Sequence, residues 1–145
     1  MTATQTYSTE LAGIDSKPAV KAAALSAYGA KLKRYRASIN MATQDIASTI
    51  QLARIPAGET FAFGILNASA TLGSATLAIG ITSNSGKYLA ASTFTAAAPT
   101  LFAAPIADEV AAAYSAEEDI FLTIGAATLP GSGTLVIDIF TSSAT

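Results

Sequence analysis

From Leu32 onward, apolar and polar side chains alternate with a period of two. In STIQLARI, residues 48 to 55, Ile50 and Leu52 alternate with Thr49, Gln51 and Ala53; PAGE then supplies a turn, and TFAFGIL puts Phe61, Phe63 and Ile65 on one face. The pattern continues in ATLAIGIT with Leu77, Ile79 and Ile81, turns at SNSG, and resumes in KYLAASTF. Late in the chain, DIFLTIG and TLVIDIFT alternate again on either side of AATLPGSG. About seven or eight short antiparallel strands, spaced near ten residues apart, predict an all-β fold, a jelly-roll-like β-sandwich.

Two segments break the period. Residues 1 to 16 are polar without a regular repeat and read as an extended or disordered arm. SKPAVKAAALSAYG, residues 16 to 29, has Ser16 and Pro18 where a helix would start, alanines through its middle and Gly29 at its end. A helix that short needs something to pack on. PIADEVAAAY, residues 105 to 114, predicts a second short helix, with Asp108 and Glu109 near its positive end. The chain therefore divides into an N-terminal arm, 1–30, partly helical or disordered, and a β-sandwich domain, 31–145.

Composition changes the picture in one direction. The 145 residues suffice for one domain with a real core, yet 51% are hydrophobic and only 12% charged. A monomer normally shows water more charge than that, so part of the surface is expected to lie between subunits. There is no cysteine and no histidine, which removes disulfides, thiolate chemistry, the commonest metal ligand and every Ser-His or Cys-His nucleophile. No cofactor is expected.

The stretches 60–86 and 88–107 carry no charge, but their Gly, Asn, Ser, Thr and Pro content does not suit a membrane-spanning helix. The first ten residues lack the basic and apolar regions of an export signal, so synthesis in the cytoplasm is expected, with no membrane partner.

Charge is strongly segregated. Residues 1 to 54 hold seven of the eight Lys and Arg against three acids, a balance of +4; residues 55 to 145 hold Lys87 alone against seven acids, a balance of −6. The densest run is KLKRYR, residues 31 to 36. As a strand it sends Lys31, Lys33 and Tyr35 to one side and Leu32, Arg34 and Arg36 to the other, spreading the charge over two faces. Tyr35 is its single aromatic and the body is acidic, which does not suit a single-strand nucleic-acid groove. Edge-strand lysines that block aggregation are one reading. The other is that Lys17, Lys21, Lys31, Lys33, Arg34 and Arg36 lie along a leader that docks on an acidic partner.

Three further motifs carry little chemistry. GITSNSGK, residues 80 to 87, is one residue too long for a phosphate-binding loop, is followed by Tyr88 and opens a strand instead of a helix. The acids Glu117, Glu118 and Asp119 precede an apolar strand, where successive side chains diverge instead of converging on a cation. SATLAIGI and SGTLVIDI, residues 74 to 81 and 132 to 139, echo one another and suggest two related hairpins.

KLKRYRASI, IQLARIPAGETFAFGILNASATLGSATLAIGI, KYLAASTF and SAEEDIFLTIGAATLPGSGTLVIDIF, spanning about residues 31 to 141, together resemble the capsid decoration (head cement) proteins of tailed bacteriophages. That resemblance implies a β-sandwich or jelly-roll body and no catalytic residue. It also implies a homotrimer on local three-fold positions of the head, bound outside the major capsid protein and bracing the shell against internal DNA pressure. A phage tail or fibre subunit and a jelly-roll carbohydrate-binding module are the competing readings.

Overall fold

The computed structural model describes residues 30–95, 97–103 and 113–143. Eight strands run through them: β1 (Lys31–Asn40), β2 (Thr49–Ile55), β3 (Thr60–Ala68), β4 (Thr76–Ile81), β5 (Asn84–Thr93), β6 (Thr100–Phe102), β7 (Glu118–Gly125) and β8 (Thr134–Ser143). They form two antiparallel four-stranded sheets, the first in the order β1-β8-β3-β6 and the second in the order β2-β7-β4-β5. Strands 1 and 8, 2 and 7, 3 and 6, and 4 and 5 thus pair, as they do when one long hairpin is rolled into a double-sheet jelly roll. The all-β sandwich read from the periodicity is the fold observed.

The core lies between the sheets and is built from alternate residues. Leu135, Ile137 and Ile139 of β8 and Leu66 of β3 face Ile120, Leu122 and Ile124 of β7 and Leu77 and Ile79 of β4, and all of these are fully buried. Each such side chain contributes about 1.5–3 kcal/mol of burial free energy. Gly64 faces inward opposite Phe102, and a Cβ there would fall 2.1 Å from the Phe102 ring. The missing side chain is what lets that ring lie flat across the first sheet.

Bulges change which residues share a face. Between Phe61 and Phe63 the pairing of β3 with β8 slips by one residue at Ala62. Phe61 therefore points into the core, while Phe63 and Ile65 point out, correcting the expectation that all three share a face. A second slip between Gln51 and Ala53 leaves Leu52 and Ala53 both buried, where strict alternation placed them on opposite sides.

Two connections also differ from expectation. The turn after β4 is Thr82 and Ser83, since Ile81 already pairs with Asn84, and SNSG belongs mostly to an irregular start of β5. The echoing segments do not close two hairpins: β3 and β4 lie in different sheets, as do β7 and β8, so each connection crosses the sandwich. The helices expected over 16–29 and 105–114 lie outside the described residues, apart from Ala113 and Tyr114, which are not helical.

Candidate interaction face

β1 lies at the edge of the first sheet and pairs residue for residue with β8 over its whole length. Its alternation is the one the sequence predicts. Lys33 and Tyr35 turn toward the core side, where Glu59 sits almost fully buried immediately before β3. Lys33 Nζ donates to Glu59 Oε1 at 2.8 Å, Tyr35 OH to Oε2 at 2.8 Å, and the buried Thr141 hydroxyl to Oε2 at 2.6 Å. Burial alone would push the Glu59 carboxyl up, but these three donors outweigh it and hold the group below its ordinary value. The same burial and the neighbouring carboxylate push the Tyr35 phenol up to about 12.

A second polar cluster adjoins the first. Lys87 Nζ bonds both Glu118 oxygens at 3.0 and 2.9 Å, Tyr88 OH donates to Glu118 Oε1, and the Tyr88 and Tyr114 hydroxyls lie 2.7 Å apart. Burial raises the Tyr114 phenol to about 12 and raises Tyr88 as well, the latter helped by its bond to Glu118. Tyr114 joins the clusters through the backbone, its N–H donating to the Glu59 carbonyl and its carbonyl accepting from Gly58. The Phe61 and Tyr88 rings close the space between them, with centroids 4.4 Å apart.

These carboxylates are structural. Each is already held by a cation or by hydroxyl donors, so none is poised to take a proton from a substrate. The acidic run divides as the strand alternation requires: Glu118 turns to Lys87, while Glu117 and Asp119 flank Arg54, which donates to Asp119 at 2.7 Å. Among the described residues, no three carboxylates come together at metal-binding distance.

Lys33 and Arg36, two of the six leader cations, are thus occupied within the body. Arg36 makes a two-pronged bond to Asp138 at 2.8 and 2.7 Å, which together with the charge of Arg34 holds the Asp138 carboxyl below its ordinary value. Lys31 and Arg34 are exposed and belong to no ion pair among the described residues. Lys17 and Lys21 lie outside the described residues.

The alternation that buries Leu135, Ile137 and Ile139 exposes a second, unforeseen set of apolar side chains. Phe63 and Phe140 stand opposite each other across β3 and β8 and stack, centroids 4.6 Å apart at 17°. Arg34 lies beside Phe140, and the next row runs Arg36, Asp138, Ile65 and Leu101, the last 66% exposed. Val136 and Leu32 extend the patch along β8 and β1. Aromatic and arginine side chains on an otherwise open sheet face are the composition of a protein contact. The bulge at Ala62 kept Phe63 from being read as outward-facing, and β6 is too short to show a period. Only Phe140 in DIF, two residues after Asp138 and half-buried on the outward side of β8, marked the face in the sequence.

No protein-family model matches the chain, and no curated protein matches it. Solved structures do. A chain in the capsid asymmetric unit of cyanophage Pam1 superposes with a TM-score of 0.67 at 14% identity, over 89% of this chain and 96% of that one. A chain in the capsid of Ralstonia phage GP4 gives 0.60 at 19% identity, over 80% and 85% respectively. A chain in the acid-stable capsid of Helicobacter pylori bacteriophage KHP30 gives 0.58 at 10% identity, over 80% and 94%. At these identities the likeness establishes a shared fold: the jelly-roll sandwich of this chain is one that also occurs in the capsids of three phages.

Proposed function

We propose that this protein is a non-enzymatic virion component, a decoration or cement protein that binds the outside of a phage head and braces the shell. In this reading it is made in the host cytoplasm, assembles as a homotrimer and contacts the major capsid protein. One observation carries the proposal: the fold is shared with chains of three phage capsids over 85–96% of their own length. The likeness therefore extends over nearly all of those chains and is not that of a module set in a much larger one. Partnered carboxylates and the absence of His and Cys favour a passive role over catalysis.

Residues 1–30 serve as the tether to the shell. Since Lys33 and Arg36 brace the body, the docking charge falls to Lys17, Lys21 and Lys31. A weak contact by one arm becomes strong when three copies present three arms, because the later arms bind at high effective concentration.

The test adds purified full-length protein, and a chain of residues 31–145, to heads stripped of accessory proteins. Full-length protein is expected to bind in copies proportional to shell sites, and the truncated chain to remain a folded oligomer that does not bind. Full binding by the truncated chain would mean that residues 1–30 are not the tether. Failure of the full-length protein to bind heads, or its recovery with separated tails, overturns the decoration reading.

A further inference from the structure

The outer faces of the two sheets differ in chemistry. The first presents Phe63, Ile65, Phe140 and the strongly exposed Leu101 around Arg34, which has no ion-pair partner among the described residues. The margin of the second presents Glu117 and Asp119, two acids sharing the single cation Arg54. Beside them is an open depression of about 400 Å³ lined also by Ile81, Thr82 and Phe121. One face is apolar with surplus positive charge. The other is shallow and open, with surplus negative charge.

We infer that the outer face of the first sheet seats on the acidic margin of the second sheet of another copy of this chain. Arg34 of one copy meets Glu117 of the next, and Leu101 and Phe140 cover Ile81 and Phe121. Both halves of a complementary pair are carried by one chain, which favours a second copy as the occupant over a foreign partner. Different patches meeting head to tail generate a ring when the rotation closes, in keeping with a trimer. The contact is small: strands about 4.8 Å apart, three of them about 30 Å long and β6 about 10 Å, give roughly 500 Å² in projection, below the ~800 Å² per partner of a standard interface and in the range of a weaker, reversible one. The inference rests on the homo-oligomeric part of the proposed function and not on attachment to the shell.

The experiment measures association of the full chain by sedimentation velocity and light scattering for Arg34→Glu, Glu117→Lys, the double variant and Leu101→Glu. All three positions are exposed, and thermal melting of each variant checks that it folds. Each single variant is expected to shift the protein to monomer, raising the dissociation constant roughly tenfold or more, the size expected of a central interface position. The double charge exchange is expected to restore the oligomer. A wild-type chain that stays monomeric, or folded single variants that stay oligomeric, overturns the inference. Variants that keep the oligomer but no longer bind stripped heads would assign the face to the shell instead, overturning the self-contact while leaving the decoration reading intact.

Discussion

At Glu59, a carboxylate 3% exposed accepts bonds from three side chains that lie 24 to 82 residues away. Glu59→Ala leaves the fully buried Thr141 hydroxyl and the Tyr35 phenol without their acceptor, so a loss of about 2–4 kcal/mol in urea unfolding is expected, and less for Glu59→Gln. The same group sets an acid limit. Its folded-state carboxyl, like that of Asp138, sits below the ordinary 4.5 and 3.8, so on acidification the unfolded chain takes up these protons first. Stability is then complete above that range and falls as pH drops through about 4, a loss that unfolding midpoints from pH 7 to pH 3 will measure.

The tyrosines act at the other extreme. Tyr35 and Tyr114 ionise near 12 in the folded chain against 10.0 in the unfolded one, so stability is complete below pH 10 and lost as pH rises from there toward 12. Ultraviolet titration of the phenols is expected to show Tyr35 and Tyr114 ionising together with unfolding. At Gly64, a methyl group meets the Phe102 ring, so Gly64→Ala is expected to cost about 1–3 kcal/mol. Adding Phe102→Leu should return part of that loss. Additive costs would mean that the ring is not what occupies the space.

Strand position within each sheet sets how firmly each element is held. β8 is flanked by β1 and β3, and β7 by β2 and β4, whereas β6 is a three-residue strand at an edge. Hydrogen exchange is therefore expected to be slowest at the inner amides of β7 and β8, such as Leu122 and Ile137, and fastest in β6. Equal protection of Leu101 and Ile137 would contradict this order. The same elements explain what the sequence revealed. Alternation located β7 and β8 because neither contains a bulge inside its apolar run, and it divided β1 correctly, with Lys33 and Tyr35 on one side and Arg34 and Arg36 on the other, without saying which side faces the core.

It misassigned Phe63 and Ala53 because a bulge inserts one residue and reverses parity beyond it, and no local signal marks that insertion. The order of strands in the sheets was equally hidden, since β1 finds β8 across the whole length of the domain. Glu59 read as part of a turn for the same reason: its role is defined by partners on β1 and β8. β6 carried too few residues to show any period.

As a whole, the molecule is a small jelly roll whose buried carboxylates Glu59 and Asp138 are held by its own side chains, with an apolar, arginine-bearing face left open on one sheet. That division, with 12% charged residues, suits a protein whose work is contact with other subunits. The most direct measurement of the proposed role is an electron-microscopy map, at side-chain detail, of purified phage particles carrying this chain. For a decoration protein, density for the eight-stranded sandwich is expected on the outer surface of the head, at every site of one symmetry class. Heads without that density, with the sandwich found only in the tail or inside the shell, would contradict that role.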